Sequence, residues 1–303
     1  MKKKLILALM ALMILTSACG TTDKNQSSVV NEVAPKISSA KASSIYNGMD
    51  AKVEEILNDG SEYAVYLAYP QSSDEVYLYN SQKWRSASMI KVFILATTME
   101  MVKDGNLSLD QQLTLNYYDK VGGAGILGGY PDGSNLSLRE VLRLMITQSD
   151  NTATNMIIDL VGMDTINDYV REKGYKDTIL QRKMMDMDAI YSGRENYSSV
   201  KDLGNIFLKI YNHKCVSKEC DDVMLDFLLG QTDTECFNTA LPGLSIAHKT
   251  GALAGLFDDG GIIYGGPSGD VILVIMTENF AGESIVIESM KNFARYVVYD
   301  FAP

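Results

Sequence analysis

The chain has 303 residues, 46% hydrophobic and 21% charged, an ordinary globular composition able to bury a core without disulfides or metals. Its formal net charge is −11, and becomes −14 once Lys2, Lys3 and Lys4 of the first eighteen residues are set aside. So acidic a body repels phosphate backbones, which argues against nucleic acid as a partner.

The three lysines precede an apolar run over 5–15, then Thr16, Ser17, Ala18, Cys19 and Gly20. A charged start, a short apolar stretch and small residues before a cleavage point make 1–18 a signal peptide. The run is too short for a comfortable transmembrane helix. A cysteine directly after the small residues resembles the bacterial lipoprotein signal. That resemblance implies lipidation of Cys19 and a membrane tether at the outer face of the cytoplasmic membrane; plain secretion is the alternative. Residues 19–44 are polar and aperiodic and read as a flexible tether. The remaining 45–303 read as one domain.

Apolar residues at helical spacing predict a helix over 45–58, closed by Asp59–Gly60. The stretches 63–69 and 76–79, rich in Val, Tyr and Leu, read as a β-hairpin. From Ser88 to about Leu229 the chain is mostly helical. It is broken by the glycine-rich stretch 122–133 and an irregular segment at 181–197. Three short apolar runs, 244–251, 261–264 and 271–277, return to β structure, with turns expected at 258–260 and 265–269. A last helix is expected over 284–299. This order is α+β. It predicts one antiparallel sheet of about five strands flanked by helices, with a helical lobe inserted and a cleft between the two parts.

Beyond Cys19 the chain has Cys215, Cys220 and Cys236. An exported protein permits a disulfide, but an odd count leaves one thiol over, and spacing does not say which. His213 and His248 match no familiar zinc spacing, so no metal and no cofactor are expected.

Ser88-Met89-Ile90-Lys91 opens a helix with apolar surroundings. Residues i and i+3 share a helix face, so the Lys91 amine lies within range of the Ser88 hydroxyl. A lysine drawn into apolar surroundings loses charge more easily and can act as a base toward serine. The tetrapeptide pattern alone is weak, because Ser38–Lys41 and Ser198–Lys201 share it; only the pattern at Ser88 falls in a buried helix. Ser149-Asp150-Asn151 sits between two helices, where it could equally be an N-cap. Lys249-Thr250-Gly251 lies on a strand and could be an ordinary edge lysine.

The three motifs together, in this order, resemble the class A β-lactamases and their penicillin-binding relatives. The 61-residue step from Ser88 to Ser149 and Gly125-Ile126-Leu127 ahead of the second motif fit the same family. The resemblance implies Ser88 as nucleophile, Lys91 as its base or proton relay, and Ser149 as donor to the leaving nitrogen. Asn151 would hold the substrate amide, Lys249 would supply positive potential, and Thr250 would bind the substrate carboxylate beside Gly251. The N–H groups of Ser88 and Ala252 would form the oxyanion hole. The implied partner is a β-lactam or a D-Ala-D-Ala-type peptide, and the implied state a monomer.

Two departures stand out. Anchored on Leu180 and Arg182, the family's water-activating glutamate falls on or beside Met184, and a thioether cannot take a proton. Asp186 or Asp188 could substitute only in a rearranged loop, and Arg182 is placed to pair with Glu195 across the loop base. After Gly251, residues 252–259 contain no arginine to grip a carboxylate. The expectation is an acyl-transfer hydrolase with slow deacylation. A DD-peptidase-like amidase, a sensor that stays acylated and a structural protein with a decayed site are the alternatives.

Overall fold

The computed structural model describes residues 44–280 and 282–303; the signal peptide, Cys19 and nearly all of the expected tether lie outside them. The first predicted helix is shorter than its periodicity suggests. A 3-10 turn at Ser44–Tyr46 is followed by Gly48 in the left-handed region, and α1 spans Met49–Ile56.

Strands β1 (Glu62–Ala68), β2 (Val76–Tyr79), β3 (Ser245–Leu253), β4 (Leu256–Gly266) and β5 (Gly269–Glu278) form one five-stranded antiparallel sheet in the order β2-β1-β5-β4-β3. The chain returns to its first hairpin after the helical excursion, pairing Tyr66 with Val274. Side chains alternate across β1: Ala64, Tyr66 and Ala68 join one core, and Tyr63, Val65 and Leu67 the other. A sheet covered on both faces needs apolar residues at every position, which is why its strands read as continuous runs.

One turn falls elsewhere than predicted. The expected break at 258–260 lies inside β4, and the hairpin closes at Ala254–Gly255, with Gly255 at φ +77°. Asp258 and Asp259 resemble turn residues in sequence, yet both are fully buried. Both carboxyl groups accept a hydrogen bond, Thr277 N–H donating to Asp258 at 2.9 Å and Phe237 N–H to Asp259 at 3.2 Å, while the second oxygen of Asp258 has no partner.

Helices α2 (Lys91–Lys103), α3 (Leu138–Thr147), α4 (Asn151–Val161), α5 (Met163–Glu172), α6 (Val200–Tyr211) and α7 (Lys218–Leu229) make up the helical part. Helix α2 is buried on every side over nine consecutive residues, Lys91 to Met99, most of them apolar, and forms the axis of this core. Helix α6 packs against the sheet so closely that a Cβ at Gly204 would lie 2.1 Å from the Tyr66 ring. Helix α8 (Glu283–Arg295) covers the other face with Val286, Met290 and Phe293. Cys215, Cys220 and Cys236 are buried free thiols. Among the described residues no helix is long and apolar enough to cross a membrane.

Candidate active site

Ser88 lies in a 3-10 turn, Ala87–Ile90, that runs directly into α2. The preceding Ala87 has φ +40°, a conformation that a Cβ disfavours, and Ser149 has φ +50°. Both serines thus sit where the backbone is bent against its preference. Ser88 is half-buried, while Met89, Ile90, Lys91 and Val92 around it are fully enclosed.

The Lys91 side chain crosses to the turn between α3 and α4. Its Nζ lies 2.6 Å from Ser149 O, 3.1 Å from Ser149 Oγ and 3.0 Å from Asn151 Oδ1. The polar partners of Lys91 are therefore in the Ser149–Asn151 motif and not at Ser88, one helical turn back. Burial, and then the neighbouring charge of Lys249, hold the Lys91 amine well below its ordinary pKa, against the pull of Asp150.

Lys249, on β3, reaches the same hydroxyl. Its Nζ donates to Ser149 Oγ at 3.0 Å and to Thr250 O at 2.8 Å. Burial pushes its pKa down to about 8, and Asp233 and Asp259 act to hold the charge. Ser149 Oγ is thus bracketed by two buried lysine nitrogens. Thr250 and Gly251 are buried and Ala252 is exposed. A Cβ at Gly251 would lie 3.1 Å from Ala87 Cβ and 3.3 Å from Ser88 N, so β3 passes directly against the backbone of the serine turn.

Asp150 does what an N-cap does, accepting from Ala153 N–H at 2.8 Å, and more. Its other oxygen accepts from Ile126 N–H at 2.6 Å and Leu127 N–H at 2.8 Å. The glycine-rich loop is thereby strapped to α4, and a Cβ at Gly125 would collide with the Asp150 carboxyl. Asn151 is fixed by the same loop: its N–H donates to Ala124 O at 3.0 Å and its Nδ2 to Gly122 O at 3.1 Å.

The segment after α5 closes on itself through Ile179 and Tyr197, which exchange backbone hydrogen bonds. Arg182 pairs with Glu195 at 2.6 Å, as its position in the sequence suggested. Asn196 Oδ1 accepts from Gln181 and Arg182 N–H, and its Nδ2 donates to Arg182 O. Asn155 then clamps the backbone of Met184 from both sides, accepting from its N–H at 2.8 Å and donating to its O at 3.0 Å. Met184 is buried, and Met185, at φ +61°, turns outward. Asp186 caps the short helix Met187–Tyr191 through Ala189 N–H at 2.9 Å, and Asp188 is exposed.

Three residues of this site carry no motif signal of their own. Asn155 stands four residues after Asn151 on the same helix face, which is the one hint the sequence offers. His248 and Asp259 form a fully buried pair behind Lys249, with Nδ1 and Oδ1 2.8 Å apart. Reading Asp258–Gly260 as a turn hides that pair. His213, the other histidine, lies 3.3 Å from Asp222.

A family model described as the β-lactamase enzyme family matches residues 49–300. Among similar proteins, the extended-spectrum β-lactamase PER-1 of Pseudomonas aeruginosa is 27% identical over 56% of this chain; the chain spans 58% of that protein's length. A solved β-lactamase from Sphaerobacter thermophilus is 28% identical, with TM-score 0.74 over 84% of this chain and 97% of its own. PBP-A is 27% identical, with TM-score 0.76 over 83% and 95%. A leucine-to-glutamate mutant of PBP-A, solved as an acyl-enzyme complex with penicillin G, superposes with TM-score 0.75.

Proposed function

The chain belongs to the β-lactamase enzyme family as a serine hydrolase of that type, and from that premise we propose that Ser88 is its nucleophile, acylated by β-lactams. The observation that carries this is Ser149 Oγ, held 3.1 Å from Lys91 Nζ and 3.0 Å from Lys249 Nζ. A hydroxyl between a neutral amine and an ammonium can pass a proton in either direction.

Ser88 Oγ attacks the lactam carbonyl while Lys91, uncharged, takes up the hydroxyl proton. As the C–N bond breaks, Ser149 gives its proton to the leaving nitrogen and is reprotonated from the lysine side. Lys249 supplies positive potential, and Thr250 binds the substrate carboxylate. Asn151, whose Nδ2 has a second hydrogen free, holds the substrate amide. The N–H groups of Ser88 and Ala252 receive the oxyanion, a role supported by the close pass of β3 along the serine turn.

The second half-reaction is slow on this reading. Hydrolysis of the acyl-enzyme needs a base for water, and residue 184, whose backbone Asn155 holds so firmly, presents a thioether. Asp186 is engaged in capping. This favours a DD-peptidase-like or sensor role as the second reading. The acyl-enzyme of PBP-A supports penicillin as an acylating ligand. The signal peptide at 1–18, the tether at 19–44 and lipidation at Cys19 belong to the same proposal, which places a monomer outside the cytoplasmic membrane.

Intact-mass spectrometry of the purified protein with benzylpenicillin tests it. The expected result is a rapid, persistent adduct that Ser88→Ala abolishes. No adduct, or an identical one on Ser88→Ala, refutes the acyl-enzyme, and rapid loss of the adduct refutes slow deacylation.

A further inference from the structure

Lys249 is fully buried, yet the hydrogen bonds of its Nζ go to uncharged oxygens, Ser149 Oγ and Thr250 O. An ammonium withdrawn from water needs an opposite charge to remain one. Two carboxylates act on it from further off, Asp233 first and Asp259 second. Asp233 is half-buried, in the segment ahead of Cys236, where water and salt weaken its field. Asp259 is enclosed completely, where a charge is screened far less.

The surroundings of Asp259 are built to hold it. It stands directly opposite Thr250 in the β3–β4 ladder, and His248 stands opposite Gly261. Residues two apart on a strand, and residues paired across a ladder, share a face. His248, Thr250 and Asp259 therefore project on one side of these strands and Lys249 on the other. Asp259 Oδ1 lies 2.8 Å from His248 Nδ1, and its Oδ2 accepts from Phe237 N–H at 3.2 Å. His248 Nε2 is buried without a partner, so the ring hydrogen belongs on Nδ1, where it is donated to Asp259. Gly261 leaves room for the ring: a Cβ there would lie 2.7 Å from His248 Cβ. The other ionisable groups around the pair are Asp233, Glu235, Cys236, Asp258 and Lys291. Burial, and then the charge of Asp259, hold the Cys236 thiol well above its ordinary pKa, against the pull of Lys291. Asp258, the next residue on β4, projects from the opposite face.

We infer that Asp259, oriented by His248, is a positioning residue for acylation: with Asp233, it is the counter-charge that keeps Lys249 an ammonium beside the Ser149 hydroxyl. The inference rests on the acyl-enzyme reading above. Asp259 acts through Lys249 from behind the strand and touches no substrate. Without its charge, burial of Lys249 is opposed by Asp233 alone of the two carboxylates, and the amine sheds its proton at lower pH.

The test follows the rate of adduct formation between the purified protein and benzylpenicillin across pH. In Asp259→Asn the alkaline decline is expected about one pH unit lower than in the wild type, the low end for a nearby opposite charge. The ratio of the rates at about pH 6 and pH 9 then rises about ten-fold. A merely structural part lowers the rate alike at every pH and leaves that ratio where it is; this outcome overturns the inference. Should Asp259→Asn fail to fold, His248 decides. Asparagine places an N–H close to where Nδ1 stands and leucine places none. The ratio is therefore expected to rise in His248→Leu and to be recovered in His248→Asn, and a wild-type ratio in His248→Leu overturns the inference. A wild-type rate without an alkaline decline overturns the inference alone. Absence of any adduct in the wild type overturns the acyl-enzyme reading, and the inference with it.

Discussion

At Lys249 burial and charge oppose each other. Burial strips water from the ammonium and lowers its pKa to about 8, and Asp233 and Asp259 limit the fall. The charged form is present below that value and lost above it. Acylation that depends on the cation therefore declines as pH rises through about 8. Adduct formation measured from pH 6 to 10 checks this; a rate that climbs steadily to pH 10 contradicts a need for the cation. Lys249→Arg removes the alkaline decline, because a guanidinium stays charged. Residue 184 carries the second prediction at this scale. Of two adjacent methionines, the sequence left open which takes the water-activating position. The two differ in placement: Met184 is buried with its backbone clamped by Asn155, and Met185 points outward, which is why Met184 is the position proposed. Met184→Glu is expected to speed loss of the penicillin adduct by about a hundred-fold, the lower range for a positioned general base. Adduct lifetime by intact mass decides it.

Elements here are placed by polar straps as much as by apolar faces. Asp150 binds the glycine-rich loop to α4, and Asn196 with Asn155 gives the loop after α5 its shape. In sequence these are a cap and two unremarkable asparagines, because a hydrogen bond between distant segments leaves no periodicity. Gly204 makes the same point by its size. In a helix, glycine costs about 1 kcal/mol relative to alanine, so Gly204→Ala would be expected to stabilise α6. The Tyr66 ring occupies the place of that methyl group, and overpacking of this kind costs about 1–3 kcal/mol. The expected outcome is a net loss of stability, read as a lower urea midpoint with an unchanged slope; a raised midpoint would show that Tyr66 moves aside freely.

For the whole molecule, the sheet is a partition buried on both faces, and Asp258 is the carboxyl it encloses at greatest cost. Burial raises its pKa well above the usual carboxylate range, Glu278 adds to the rise and Arg85 opposes it. Folding therefore favours the protonated form of this group, and unfolding releases it to ionise more readily. Its contribution to stability is therefore intact below the unfolded pKa of about 3.9 and diminishes as pH rises past it. Asp258→Asn, which cannot ionise, should gain stability relative to the wild type between pH 4 and pH 7. Urea denaturation at the two pH values measures the difference, and an equal offset at both contradicts a raised pKa at Asp258. The aspartates of β4 also mark the limit of reading by composition. The sequence by itself determined the α+β order, the return of the chain to its first hairpin and the serine and lysine motifs. Those rest on local periodicity and on residue types whose chemistry is the same wherever they fall. Only the tertiary structure decided that Asp258 and Asp259 lie inside a strand, that both lysines converge on Ser149 Oγ, and that Asn155 fixes a methionine beside the site. Each of these depends on residues far apart in the chain meeting in a space without water, where a hydrogen bond or a missing one decides which conformation survives.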